Sequence, residues 1–386
     1  MPELSVIIVS YKVRFYIEQC ICSVLRSLPG AQVIVVDNNS GDGSVEFLTA
    51  RFPGVQVIAN PENSGFGKAN NMALEKAHGR FVLFLNPDTV VAERTLPECI
   101  SFMDENPEVG CVGVRMQYGD GRFARESRRS LPTPSVSFWH MTGMGRLFPR
   151  SRYFAKYHLT YMDQDIPCRI EVTSGAFMMA RREALAKTGG FDETFFMYGE
   201  DIDLSYRILK EDYDNWYLPV PIVHYKGEST NKTSYRYAKV FYDAMQIFFD
   251  KHFHNYSRLF SGMVRVILAM RKVATFLSQN LKKHTAAEYS ERCLFVGDRA
   301  NFDRVARKIG SSRILVMPEF VDCRDMRSVN DAVTERDFKA LLFETAIFTL
   351  DEIMDYMYGC AQAGVRRTMG LYWPENDRLI TEDEVL

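Results

Sequence analysis

The stretch FFMYGEDIDLSYRI, residues 195–208, sets Glu200, Asp201 and Asp203 within four positions, with aromatic and apolar residues on both sides. A carboxylate in such company, with a second carboxylate beside it, has its pKa pushed upward, toward the range in which a general base works near neutral pH. DLSYRIL reads as a helix opening, where first-turn carboxylates are favoured by the dipole whatever their chemistry, so Asp203 has a purely structural reading as well. Three more polar points stand at the ends of apolar runs. VVDNNSGDGS places Asp37 where a carboxylate accepts from a ribose hydroxyl or a base N–H, although a turn or helix cap would use it equally well. LFLNPDTVV places Asn86 and Asp88 where their oxygens suit a hard divalent ion bridging a diphosphate, Mn2+ or Mg2+; an Asn-Pro-Asp turn that merely ends a strand is the alternative. His224 closes the run PIVH, and a lone histidine there is a ligand only if the fold brings it to Asp88.

The elements that must position these residues are legible in the first third. SVIIVSY, QVIVVD, VQVIAN and RFVLFLNPD are short β-branched runs separated by helical patterns near 15–28, 43–52 and 66–78. Continuous apolar strands alternating with helices predict a parallel sheet covered on both faces, whose ligands bind at the carboxyl ends of the strands. Tyr11, Asp37, Asn60 and Asp88 all fall at such ends. Between them, NSGFGKANN offers two glycines that would let the backbone approach a ligand, and a cation, Lys68. The first strand runs into SYKVRFYIEQC with no glycine before Gly30, which excludes a dinucleotide fingerprint, and no P-loop is present. The missing glycine-rich loop also counts against a nucleotidyltransferase.

Composition sets the outer bounds. The chain has 386 residues, is 46% hydrophobic and 25% charged, and carries a net charge of −2, so two domains are expected and no global basic field argues for nucleic acid. The eight cysteines form no CxxC pair and no zinc spacing, and read as reduced thiols. MPEL passes straight into SVIIVS without a basic leader, which predicts a cytoplasmic protein. No run approaches the length of a membrane span.

Taken in order and spacing, SVIIVSY, VIVVDNNSGDGS, NSGFGKANN, LFLNPDTVV, SGAFMMARREAL, GGFDETFFMYGEDIDLSYRI and HYKGEST resemble the inverting family-2 glycosyltransferases of GT-A fold, most closely the rhamnosyltransferase-like members of bacterial polysaccharide assembly. The resemblance spans roughly residues 4–250. It implies a GT-A-type, Rossmann-like mixed sheet with helices on both faces. It further implies transfer of a sugar, with inversion, from a nucleotide-diphosphate donor, dTDP-rhamnose or a UDP-sugar, to a hydroxyl of a glycan or polyprenyl-diphosphate-linked acceptor. Residue by residue, it puts Asp201 at the position of the catalytic base with Glu200 beside it. Ser10, Tyr11, Asp37, Asn63, Gly67, Lys68, Asn86 and Asp88 fall in the nucleotide-sugar site. Asp88 stands at the second carboxylate of the family's metal motif and His224 at a position that completes the metal site, while Asn86 replaces the usual first aspartate. Gly175 falls beside the acceptor. A non-catalytic scaffold that has kept the fold is the rival reading, which Asn86 would allow.

The rest of the chain has no such match. Residues 122–152 hold seven arginines and three prolines without a regular period, which predicts a loop-rich, mobile cover whose Arg128 and Arg129 could neutralise a donor or acceptor diphosphate. Residues 251–288 predict a basic amphipathic helix, with Phe260, Met263, Val264 and Ile267 on one face and Arg258, Arg265 and Lys272 on the other, suited to peripheral contact with the inner face of a membrane. Residues 289–386 predict a small α/β domain without a catalytic role.

Overall fold

Runs in which every residue is apolar or β-branched can be satisfied only inside a sheet covered on both faces. Four of them, β1 (Leu4–Ser10), β2 (Gln32–Asp37), β3 (Gln56–Ala59) and β4 (Phe81–Leu85), are joined by helices α1 (Arg14–Ser27), α2 (Ser44–Arg51) and α3 (Phe66–Leu74). The computed structural model describes residues 2–225, 235–254, 262, 291–322, 325–334 and 338–386. Strands β5 (Thr89–Val91), β6 (Val109–Gln117), β7 (Cys168–Ile170), β8 (Phe177–Arg181) and β9 (Asp214–His224) complete a nine-stranded mixed sheet of order β3-β2-β1-β4-β8-β6-β9-β5, with β7 on β9. The β3-β2-β1-β4 half is parallel; β8 then runs antiparallel between β4 and β6. Helices α4 (Thr95–Glu105), α7 (Arg182–Thr188) and α8 (Glu200–Lys210) cover this sheet. The long helix α9 (Tyr235–His252) packs Ala244, Met245, Phe248 and Phe249 onto Phe195 and Ile202.

The 122–152 segment departs from the expected irregular cover. It folds into a 3-10 turn at Arg125–Ser127 and two short helices, α5 (Pro134–Met141) and α6 (Met144–Leu147). Pro134 opens α5, where its missing N–H costs nothing. Trp139 gathers the rings of Phe138, Tyr153 and Phe154 at centroid distances of 4.8, 5.6 and 4.9 Å, an aromatic cluster that no sequence period announces.

A second sheet follows, β10 (Glu291–Val296), β11 (Leu315–Val321), β12 (Ala340–Glu344), β13 (Thr368–Trp373) and β14 (Arg378–Ile380), in the order β11-β10-β12-β13-β14. Its helices are α10 (Arg299–Ile309), α11 (Met326–Thr334) and α12 (Leu350–Gln362). The two sheets share a core in which Val13, Tyr16, Val90, Val223 and Tyr225 of the first meet Val296, Phe343, Met357 and Trp373 of the second. Buried Glu18 on α1 accepts from Arg378, 3.0 Å, and Gln19 accepts from Trp373 Nε1, 2.8 Å. Glu93 caps the start of α12 through Leu350 N and Asp351 N. The basic helix expected over 256–284 lies outside the described residues except for position 262. Among the described residues no helix is long and apolar enough to cross a membrane, and the seven cysteines are unpaired.

Candidate active site

Parallel pairing aligns the strand ends. Ser10 stands opposite Asp37, and Asp37 opposite Ala59. Asp37 is buried, and one carboxylate oxygen, Oδ2, accepts from Ser40 N at 3.0 Å while Oδ1 has no partner. Ser10 Oγ beside it is likewise buried and unpartnered. A buried polar atom left without a hydrogen bond is costly, so two of them at adjoining strand ends make this edge a candidate ligand site. Tyr11 follows with its ring 38% exposed, free to lie against a flat base.

The neighbouring NSGFG turn behaves differently from the expectation. Asn63 Oδ1 accepts from Asn38 Nδ2 and Gly65 N, and Asn60 donates to Asn38 and Ser64, so the asparagines brace the loop itself. Gly65 has φ +85°, and a Cβ there would lie 2.5 Å from Phe196 O. A Cβ on Gly67 would lie 3.3 Å from Phe191 Cβ. The glycines therefore admit the 190–197 segment and not a ligand. Among the described residues, Lys68 pairs with Glu62, at 3.8 Å on the surface.

Antiparallel pairing of β5 with β9 puts His224 opposite Thr89, one residue beyond Asp88. His224 Nε2 lies 3.3 Å from Asp88 Oδ1 and 3.3 Å from Asn86 Nδ2, with Asp88 buried. Alternation along β9 explains the geometry: Val223 and Tyr225 face the second sheet's core, which turns His224 toward Asp88. Among the described residues no three His, Cys, Asp or Glu side chains converge on one point. The donor set is a carboxylate, an imidazole and the Asn86 amide, which suits Mn2+ or Mg2+ with less charge than a two-aspartate motif supplies.

The acidic pair is held from three sides. Tyr198 (φ 68°) and Gly199 (φ 87°) are both left-handed, turning the chain sharply into α8. A Cβ on Gly199 would lie 3.1 Å from the Met245 methyl of α9, so glycine is needed there for space as well. Asp201 Oδ2 accepts from Gly175 N at 3.0 Å and from the Arg129 guanidinium, and Oδ1 accepts from Ile202 N at 2.8 Å. Glu200 is equally buried, and its Oε2 has no partner. Burial, reinforced by the charge of Asp201, pushes the Glu200 carboxyl up to about 8. The upward push expected for the pair thus falls on Glu200, while Asp201 is the ion-paired member.

Asp203 is structural. Fully buried, it accepts from Arg207 Nε at 2.7 Å, Lys251 Nζ at 2.8 Å and His252 Nε2 at 2.7 Å. Burial alone would raise its pKa, but hydrogen bonds from His252 and Lys251, with Arg207 beside them, bring it down to about 2. Neither Lys251 nor His252 was legible as its partner, because no local pattern links α8 to the end of α9.

The two arginines also part company with the expectation. Arg128 is buried, donates to the carbonyls of Asp163 and Met162, and lies 5.1 Å from the Tyr217 ring centroid, so it has no reach toward the acidic pair. Arg129 donates to Thr173 O at 3.1 Å and to Asp201, so it neutralises the candidate base and not a diphosphate.

Residues 5–189 match the family model described as glycosyl transferase family 2. The N-acetylglucosaminyl-diphospho-decaprenol L-rhamnosyltransferase of Mycobacterium tuberculosis is 26% identical over 265 residues, 64% of this chain and 85% of that protein. The rhamnosyltransferase WbbL of Escherichia coli K12 is 28% identical over 176 residues, 42% of this chain and 60% of that protein. Among solved structures, the mannosyltransferase PcManGT of Pyrobaculum calidifontis, in complex with GDP-Man and Mn2+, aligns at a TM-score of 0.46 with 17% identity, covering 73% of this chain and 76% of that one. The stretch similar to glycosyl transferase family 2, residues 5–189, just under half of the chain, contains the parallel β3-β2-β1-β4 half of the mixed sheet together with β5, β6, β7 and β8.

Proposed function

We propose that the protein transfers a sugar, with inversion, from a nucleotide-diphosphate donor to a hydroxyl of a lipid-linked glycan acceptor. The observation that carries this reading is that the fold leaves buried polar atoms unpartnered at the ends of β1 and β2 and holds a carboxylate by an arginine at the start of α8. Asp37 Oδ1 and Ser10 Oγ accept from and donate to the ribose or base, and Tyr11 packs on the base. dTDP-rhamnose and UDP-sugars are the donor candidates, and the rhamnosyl-transferring relatives favour the first. Asp88 and His224, with the Asn86 amide oxygen, would hold a divalent cation, which supplies positive charge to a departing diphosphate.

Inverting transfer is a single displacement in which the acceptor hydroxyl attacks the anomeric carbon from the face opposite the leaving diphosphate. Asp201 takes the proton of that hydroxyl. Arg129 and Gly175 N fix the Asp201 carboxylate, so it meets the hydroxyl with its geometry already set. Glu200, which keeps its proton up to about pH 8, offers the acceptor a neutral hydrogen-bonding carboxyl.

A second assignment, with Glu200 as the base, is favoured by its unpartnered oxygen and its raised pKa. Asp201→Asn and Glu200→Gln, assayed for transfer from dTDP-rhamnose and from UDP-sugars to a GlcNAc-diphospholipid, separate the two. Under the first assignment Asp201→Asn is the inactive variant; if only Glu200→Gln is inactive, the roles are exchanged. If the wild type transfers from no donor while binding nucleotide, the scaffold reading replaces both.

A further inference from the structure

Behind the acidic pair, between the 118–160 segment and the second sheet, lies a cavity of about 510 Å³ that the donor and metal residues do not line. Four guanidinium groups face it: Arg122, Arg125 and Arg146 from the segment, and Arg366 from the loop after α12. Arg122 is paired with Asp120, whereas Arg125, Arg146 and Arg366 have no carboxylate at ion-pair distance among the described residues. The one acidic lining residue, Glu126, accepts from the Tyr118 hydroxyl at 3.3 Å. Exposed His140 and half-buried His158 also line it, their rings 5.2 Å apart, and His158 Nδ1 is a buried atom without a partner. Burial, with His140 and nearby arginines beside it, pushes the His158 imidazole down to about 3. Three exposed guanidiniums without a carboxylate partner around one pocket give it a positive field that favours an anion, and their planar forks match phosphate oxygens.

Two features say which anion. The Tyr157 ring lies 4.1 Å from that of His140 in the cavity wall and its phenol bonds with Arg129, the partner of Asp201, so one wall of the cavity is linked to the acidic pair. Between the lining residues Arg146 and Phe154, Leu147 is 72%, Phe148 50% and Tyr153 61% exposed, with Arg150 and Arg152 among them. An arginine pocket with an apolar, basic lip fits a molecule with a diphosphate head and a hydrocarbon tail, whereas a nucleotide would leave the lip unused.

We propose that this cavity binds the diphosphate of a prenyl-type lipid-linked acceptor, with the hydrocarbon chain leaving over Leu147 and Phe148. The second domain then has a function in the reaction, since Arg366 is its contribution to acceptor binding. This inference rests on the glycosyltransferase reading for the meaning of the site, though not for its existence.

The test is calorimetric titration of the full chain with inorganic diphosphate, farnesyl diphosphate and dTDP, comparing wild type with Arg146→Ala/Arg366→Ala and with Leu147→Ser/Phe148→Ser. Arg146, Arg366 and Leu147 are exposed and Phe148 is half exposed against the Phe154 ring, 5.5 Å away, so circular dichroism first establishes that both variants are folded. The double arginine variant should weaken both diphosphates by about tenfold or more and leave dTDP unchanged, as the loss of charged hydrogen bonds predicts. The lip variant should weaken farnesyl diphosphate alone. Equal affinity for the two diphosphates, unmoved by the lip variant, would assign the pocket to free diphosphate and overturn the lipid part. Competition between farnesyl diphosphate and dTDP, or indifference to the arginine variant, overturns the site. Failure of dTDP and other nucleotides to bind, with farnesyl diphosphate still bound, would instead remove the donor reading and leave the cavity assignment standing.

Discussion

The protein contains two sheets, each with a run of parallel strands, and the carboxyl ends of those strands are finished in opposite ways. At the ends of β1 and β2, Ser10 Oγ and Asp37 Oδ1 are buried without partners. At the corresponding ends of β10 and β12, buried Glu344 accepts from Asp298 N at 2.7 Å and from Asn301 Nδ2 at 2.7 Å, filling the place a ligand would take. A Cβ on Gly297 would lie only 2.5 Å from Glu344 Oε2, so the chain has closed tightly around that carboxylate. Position in an open α/β sheet says where a ligand is able to bind. Whether the polar groups there are already satisfied says whether one is needed. By that criterion the first sheet is the candidate ligand sheet and the second a support, which packs against the paired strands β5 and β9 that carry His224.

The largest effect should come from the carboxylate held toward substrate. Asp201→Asn keeps the shape and removes the base, and transfer should fall by roughly 10²- to 10⁴-fold with nucleotide binding retained. A steady-state assay beside a binding titration reads both. Loss of binding together with rate would mean that Asp201 supports the donor site instead.

Asp203, two residues on, sharpens the contrast because every one of its bonds is internal. Asp203→Asn leaves Arg207 and Lys251 beside a neutral amide and should destabilise the fold by about 3 kcal/mol, measured by urea unfolding. Its carboxyl lies below the ordinary 3.8, at about 2, so its contribution is fully present above pH 3.8 and is lost as pH falls through 2. The variant should therefore lose less stability than the wild type across that acid window.

The smallest effect concerns Glu200. Its folded pKa of about 8 lies above the ordinary 4.5, so its contribution is fully present below pH 4.5 and fades as pH rises through 8. Glu200→Gln should remove that alkaline slope from the thermal unfolding profile, with melting temperatures converging below pH 4.5. An unchanged slope would mean that water or a substrate group already satisfies Glu200.

Much of this was legible because it is local. The runs SVIIVS, QVIVVD and RFVLFL specify buried parallel strands by composition alone, and strand ends follow directly, which placed Ser10, Asp37 and Asp88. What stayed illegible depends on contacts across long sequence separations. Nothing in the pattern around Arg129 marks Asp201, 72 residues on, as its partner. Gly65 and Gly67 have the composition of a ligand loop, yet the space they provide is taken by Phe196 and Phe191. The arginines of 122–152 were visible as a cluster, but their division into buried Arg128, catalytic-side Arg129 and the cavity group needed the fold.

The most direct test of the two-sheet account is a calorimetric titration of dTDP and UDP, with Mn2+ present, into wild type, Asp37→Ala and Glu344→Gln. Loss of a buried hydrogen bond to the nucleotide should weaken binding by about tenfold or more in Asp37→Ala. Glu344→Gln should bind as the wild type does while losing about 1–3 kcal/mol of stability. If Asp37→Ala binds nucleotide unchanged and Glu344→Gln does not, the ligand belongs to the second sheet and the account is wrong.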